Sequence, residues 1–143
     1  MCLLALDIGE ARIGVAISDP NQVLARSLTV IKRSSRQRDF TTIKGLVREH
    51  EVEKIIVGHP LSLNGTLGQQ AKRVERYAAA LAQALEREGL KVPVLLWDER
   101  FSTADAERLM IEAGHKRQAR RRRIDAVAAA VILQDYLDER REP

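Results

Sequence analysis

Apolar and polar positions alternate between two periods along this chain, and the switches between them mark out its elements. Leu3 to Ile8 is an apolar run broken only by Asp7, the pattern of a central strand covered on both faces. Gly9-Glu10-Ala11-Arg12 supplies a turn, Ile13 to Ser18 reads as a second strand and Ala25 to Ile31 as a third. The period then becomes helical: Phe40, Ile43 and Val47 fall on one face of a helix over 36–49. Lys54 to Gly58 is a short buried strand rich in β-branched residues. A loop from His59 to Gly65 follows, with turn chemistry from Pro60 and Asn64-Gly65.

Thr66, with Gln69 three residues on, has the spacing of a capping box and is expected to open a long helix. Ala71, Val74, Ala78, Leu81, Ala82 and Leu85 form its apolar stripe, and Gly89 is placed to end it. Val92 to Trp97 reads as the fifth strand. Ser102 or Thr103 caps a further helix that stops at Gly114, and Ala126 to Leu133, apolar all round, marks a buried final helix. The first three strands are close enough in sequence for antiparallel pairing, whereas the last two need helical crossovers. The pattern therefore predicts an α/β fold, a five-stranded mixed sheet flanked by helices.

Composition narrows the setting. A chain of 143 residues fits one domain, 1–143, with a core that needs no disulfide or structural metal. Aromatic residues make up only 3%, so the core rests on Leu, Ile, Val and Ala, and an aromatic stacking platform for single strands is disfavoured. Cys2 is the only cysteine, which rules out an internal disulfide and any cysteine metal cluster. No apolar run reaches the length of a membrane span, and the first residues lack the basic start of a signal peptide. The expected setting is a reducing cytoplasm, with no membrane partner.

Three carboxylates stand out. Asp7 sits inside an apolar strand, where a charge costs several kcal/mol unless paired, hydrogen-bonded or bound to a cation; the simpler reading is that the strand ends there and Asp7 bonds turn amides. Asp98 and Glu99 follow the fifth strand and should face opposite ways, so one of them points towards any site at that end. Asp125 precedes eight apolar residues, where it is also a good helix N-cap. Together these acids lie at the mouths of apolar elements, and ligands of open α/β sheets bind outside the carboxyl ends of the strands. Clustered carboxylates repel unless hard divalent cations screen them, and Mg²⁺ and Mn²⁺ prefer such oxygen ligands. Two ions about 3.5–4 Å apart can activate water and hold a leaving oxygen in phosphodiester hydrolysis. His50, His59 and His115 have no metal-ligand spacing and read as surface or loop residues.

Four blocks in order span nearly the whole chain. They are Asp7-Ile8-Gly9-Glu10-Ala11-Arg12-Ile13-Gly14-Val15-Ala16; Val57-Gly58-His59-Pro60-Leu61 with Asn64-Gly65-Thr66; Asp98-Glu99-Arg100-Phe101-Ser102-Thr103; and Ile124-Asp125-Ala126-Val127-Ala128-Ala129 through Leu137. They resemble the motifs of the YqgF/RuvX family of ribonuclease H-like nucleases, with His59 and Phe101 as mild departures at variable places. The resemblance implies a ribonuclease H-like fold and Asp7, Glu99 and Asp125 as the catalytic and metal-binding acids, favouring Glu99 over Asp98. It implies dependence on Mg²⁺ or Mn²⁺, with two ions expected, and no other cofactor. It also implies a metal-dependent endonuclease that matures the 5′ end of the small-subunit (16S) ribosomal RNA precursor. Resolution of Holliday junctions in branched DNA is the alternative.

Charge points to the same partner. Lys and Arg exceed Asp and Glu by 24 to 20, and Lys116 to Arg123 holds six cations in eight positions. Read as a loop between two helices, Lys116, Arg117, Arg120, Arg121, Arg122 and Arg123 would grip backbone phosphates of a structured RNA precursor or branched DNA; the plain alternative is a solvated charge run. Arg12 is a further phosphate contact or an internal salt bridge, and the Pro60–Gly65 loop is a substrate loop or a connector. Asp-x-Gly after a first strand also opens actin-like ATPases and sugar kinases, but those need a second domain that this length does not provide. The serious rival is a non-catalytic nucleic-acid-binding module, disfavoured because unneeded buried acids are costly. A resolvase would be expected to act as a dimer; no apolar stripe declares a dimer face, so monomer and homodimer both stand.

Overall fold

The computed structural model describes residues 1–60, 68–98 and 117–141, with positions 117–126 and 141 described as backbone only. In chain order the described elements are β1 (Cys2–Ile8), β2 (Arg12–Ser18), β3 (Ala25–Lys32), α1 (Arg36–Glu49), β4 (Val52–His59), α2 (Gln69–Arg87), β5 (Val94–Asp98) and α3 (Arg117–Arg141). The five strands form one sheet in the order β3-β2-β1-β4-β5. β2 pairs antiparallel with both β1 and β3, while β1, β4 and β5 run parallel. The mixed sheet matches the expectation, because short turns serve the first three strands and α1 and α2 provide the two crossovers.

Side-chain alternation splits the core in two. Leu4, Leu6 and Ile8 of β1 join Ile55 and Val57 of β4 against Phe40, Ile43 and Val47 of α1 and Val74, Tyr77, Leu81 and Leu85 of α2. Leu3 and Ala5 point to the other face, where Ala16 and Ile56 meet Ala129, Ile132, Leu133, Tyr136 and Leu137 of α3. The central strand is thus buried on both sides, as its continuous apolar run requires. Each large apolar side chain buried here contributes roughly 1.5–3 kcal/mol.

Local chemistry explains most boundaries. Ser35 caps α1 by accepting from the Arg38 N–H at 3.2 Å. α2 ends as expected at Gly89, with φ +75°. The Leu90 N–H reaches the Leu85 carbonyl and the Gly89 N–H reaches Glu86, both at 3.0 Å, the paired bonds of a Schellman motif. The start of α2 departs from expectation: the helix begins at Gln69 with Gly68 as its cap and no capping side-chain bond, while Thr66 lies outside the described residues. Tyr77 completes the buried face of α2, while Ala82 is only partly buried. β5 is shifted, running Val94–Asp98 instead of starting at Val92.

The largest correction concerns the basic segment. Arg117 to Arg123 form the first turns of α3, a helix of 25 residues, instead of a loop ahead of a short one. Asp125 therefore lies inside a helix and is not its N-cap. Nor is the apolar stretch buried all round: Ala128, Ala129, Ile132 and Leu133 are buried, whereas Val127, Ala130 and Val131 are partly open. The expected helix from Ser102 or Thr103 to Gly114, and the loop 61–65, lie outside the described residues.

Candidate active site and the cleft beside it

β1, β4 and β5 end side by side, in register through Leu6–Val57 and His59–Asp98, so Ile8, His59 and Asp98 mark one edge of the sheet. Asp7 sits one residue from that edge, half-buried, paired across the ladder with Gly14 of β2. By alternation with Leu3 and Ala5 it lies on the α3 face. Trp97 of β5 also packs in the α3-side core, its ring 5.2 Å from Tyr136 in an edge-to-face contact. Asp98, paired with His59, occupies the opposite, α2-side face. Asp98 and Asp7 thus stand on different sides of the sheet.

α3 crosses the Asp7 face with a fixed direction. Near its carboxyl end, Gln134 accepts from the Ala25 N–H at 2.9 Å and donates to the Val23 carbonyl at 3.0 Å, and Arg140 donates to Gln22 at 3.2 Å. Those partners lie at the β2–β3 end of the sheet, level with the start of β1, where the Leu3 N–H meets Ser18. The helix therefore runs from the Asp7 edge towards the opposite edge.

The turn after Asp7 is held from beneath. The Gly9 N–H bonds the Arg12 carbonyl at 2.8 Å, and a Cβ at Gly9 would meet that oxygen at 2.9 Å, so the turn requires glycine. Arg33 grips the same turn twice: its N–H bonds the Ala11 carbonyl at 2.9 Å and its guanidinium donates to the Gly9 carbonyl at 2.7 Å. That guanidinium lies 5.0 Å from the centre of the Tyr77 ring and 3.9 Å from Asp39. Asp39, only 2% exposed, accepts from the Tyr77 hydroxyl at 3.2 Å and the Ser34 N–H at 3.1 Å. Burial, reinforced by the Asp39 charge, pushes the Tyr77 phenol well above its ordinary range, so it stays a donor. Gln70 of α2 adds a bond to the Ile8 carbonyl at 3.3 Å. The sequence reading missed this network, although an aspartate on the apolar face of α1 was a signal for it.

The remaining candidates divide as follows. Arg12 opens β2 and is half-buried. Arg117, Arg120, Arg121, Arg122 and Arg123 lie in the first turns of α3, and Asp125 is nine residues into it, all described as backbone only. Glu99, Lys116 and His115 lie outside the described residues. His59 closes β4 instead of lying in a loop, its side chain 13% exposed and 3.2 Å from Glu75. Among the described residues no three His, Cys, Asp or Glu side chains gather to hold a metal ion, and no helix is long and apolar enough to cross a membrane.

Known proteins agree with this architecture. The family model described as "RuvX: Holliday junction resolvase" matches residues 1–139. A relative from Thermoanaerobacter pseudethanolicus, named "Putative pre-16S rRNA nuclease", is 45% identical over 142 residues, 99% of each chain. One from Syntrophomonas wolfei with the same name is 43% identical over 138 residues, covering 96% of this chain and 94% of the relative. Among solved structures, Thermus thermophilus RuvC in complex with Holliday junction substrate aligns with a TM-score of 0.60 at 17% identity, covering 98% of this chain and 95% of that one. The sheet order and flanking helices are thus those of the RuvC-like, ribonuclease H-type fold. On the family match and these relatives together, the chain belongs to the RuvX family.

Proposed function

We propose that this protein is a metal-dependent endonuclease, acting through Asp7, Glu99 and Asp125 on nucleic-acid phosphodiesters in the maturation of the 5′ end of a 16S ribosomal RNA precursor. The observation that carries this reading is the placement of Asp7, half-buried at the carboxyl end of the central parallel strand, on the sheet face that α3 crosses. Glu99, outside the described residues, is its proposed partner on the family motif, and the described neighbour Asp98 lies on the sheet face opposite Asp7.

Helix geometry supports Asp125. From Leu3 to Asp7 the strand rises about 13 Å at ~3.3 Å per residue, and nine helical residues at ~1.5 Å cover about the same length. Counting nine residues back from Gln134, which is anchored level with the start of β1, reaches position 125. Three carboxylates at one sheet edge suit hard divalent cations, and we assign Mg²⁺ or Mn²⁺, two ions being the fuller form of the proposal. Bound there, the metal would supply an activated water and charge stabilisation at the leaving oxygen. The residues' own task is to hold oxygen donors rigidly, and the clamp of Arg33 on the turn after Asp7 serves it.

The relatives' name favours ribosomal RNA processing. Junction resolution is the second reading, favoured by the family description. The deciding assay compares wild type and Asp7→Asn, each with Mg²⁺ or Mn²⁺, on a 5′-extended 16S precursor RNA, an RNA duplex and a four-way DNA junction. Loss of at least a hundredfold in cleavage with binding retained is expected for Asp7→Asn. Equal cleavage by both proteins overturns the assignment, and cleavage of the junction alone selects the second reading.

A further inference from the structure

A cleft of about 420 Å³ opens on the opposite side of the β1–β2 turn from Asp7, between α1 and α2. Its lining includes Ile8, Glu10, Arg36, Arg73, Arg76 and, at its floor, Arg33. The floor is electrically spent, because Arg33 is engaged with the Gly9 carbonyl, Asp39 and the Tyr77 ring. The rim is different. Arg36, Arg73 and Arg76 are all exposed, and among the described residues the carboxylate lining the cleft with them is Glu10, whose contact with Arg73 at 3.7 Å joins two exposed side chains and is correspondingly weak. Among the described residues Arg36 and Arg76 make no ion pair. Arg36 instead lies 5.9 Å from the centre of the Tyr77 ring, which steadies its guanidinium beside the cleft.

We infer that this cleft takes a backbone phosphate of the nucleic-acid substrate, on the far side of the sheet edge from the cleavage site. Three guanidiniums around one concavity are suited to a phosphodiester, which arginine grips through paired N–H donors. Continuity fixes the occupant. Ile8 and Glu10 line the cleft and flank Gly9, so its wall lies within about 10 Å of Asp7 along an extended chain of three residues. A strand draped over the β1–β2 turn would meet Asp7 on one side and these arginines on the other. The inference rests on the nuclease reading only in supplying the substrate.

The test measures equilibrium binding of the precursor RNA and the four-way junction across a salt series, in an Asp7→Asn background so that cleavage does not intervene. Variants are Arg76→Gln alone and Arg36→Gln with Arg73→Gln and Arg76→Gln, checked by thermal melting. Each lost phosphate contact lowers the slope of log binding constant against log salt by about 0.7–0.9. The triple variant is expected to lose about 0.7–0.9 from the slope and at least tenfold in affinity, and Arg76→Gln a smaller part of both. Unchanged slopes in folded variants, with the parent still binding, overturn this inference and leave the nuclease reading intact. No binding by the parent overturns both. Arginine-dependent capture of polyglutamate as tight as that of nucleic acid would assign the cleft to an acidic protein and overturn it as well.

Discussion

Replacing Arg33 by methionine keeps the aliphatic stem and removes the guanidinium, and the structure allows the consequence to be worked out. The bond to the Gly9 carbonyl, 2.7 Å from a charged donor, belongs to the class worth about 1.5–3 kcal/mol. Asp39, 2% exposed, loses its nearby cation. Removing one partner of a fully buried pair costs roughly 3–5 kcal/mol. Here the separation is 3.9 Å, Arg33 is 29% exposed, and Asp39 keeps the Tyr77 hydroxyl and Ser34 N–H, so only a fraction of that applies. The expected destabilisation is about 2–4 kcal/mol, a large part of the roughly 5–15 kcal/mol that holds a domain of ordinary stability. At about 3 °C per kcal/mol for a chain of this size, the melting temperature falls by roughly 6–12 °C.

Thermal and urea unfolding measure the total, and a double-mutant cycle with Asp39→Asn isolates the pair. In the Asp39→Asn background Arg33→Met should cost about 1 kcal/mol less than in the wild type, because no buried charge is left exposed to the loss. Cleavage should fall further than binding, since the turn that Arg33 holds begins two residues after Asp7. A destabilisation below about 0.5 kcal/mol, or none of it coupled to Asp39, would refute the claim that this arginine clamps the turn.

Other expectations follow from the same contacts. Ile132→Ala, at a fully buried position of α3, should cost about 2–5 kcal/mol in urea unfolding, because α3 is what closes the Asp7 face of the sheet. Gly89→Ala should cost about 1 kcal/mol by the same measurement, from the φ of +75° alone, as its Cβ would meet open space. The phenol of Tyr77 is raised in the folded state by burial and by Asp39, so its contribution is complete below the unfolded value near ~10 and is lost as pH rises above it. Wild type should therefore lose stability above about pH 10 more steeply than Tyr77→Phe, as read by denaturant midpoints across pH. The Glu88 carboxyl is held low by hydrogen bonds from Arg48 and Lys44, so its contribution is present above the unfolded carboxylate range and disappears on acidification. Glu88→Gln should flatten the acid limb of the stability profile without moving the alkaline one.

Most of the sheet was legible in the residues because burial on two faces leaves an unmistakable trace. β1 and β4 carry continuous apolar runs, and α1, bounded by a serine cap and a one-sided stripe, was read to its observed ends. Gly89 was legible for a similar reason, since few residues accept its backbone conformation. Features that depend on tertiary partners were not. Nothing local told that Gly68 would cap α2. Arg33 carries no periodic signal, and its importance exists only because β3, α1 and α2 bring Gly9, Asp39 and Tyr77 to it. The candidate acids were legible as anomalies, but the opposed facings of Asp7 and Asp98 emerge only from the parallel register of three strands.

The misreading of the basic segment has the most to say about the site. A run of six cations in eight positions was read as a loop between two helices, with Asp125 a ready helix start beyond it. Both readings were local, and the apolar face from Ala128 to Leu137, seated on the sheet, carries the helix back past them to Arg117. The bland explanation of Asp125 then falls away. At an N-cap an aspartate is accounted for by the backbone N–H it accepts from; nine residues into a helix it has no such duty, and its helix propensity is among the poorer ones, by about 0.7 kcal/mol relative to alanine. The longer helix sets position 125 one turn before the buried Ala128 and Ala129 and nine residues before the anchored Gln134. We propose that Asp125 shares a divalent cation with Asp7, a reading that fits the family, the direction of α3 and the length of strand it spans.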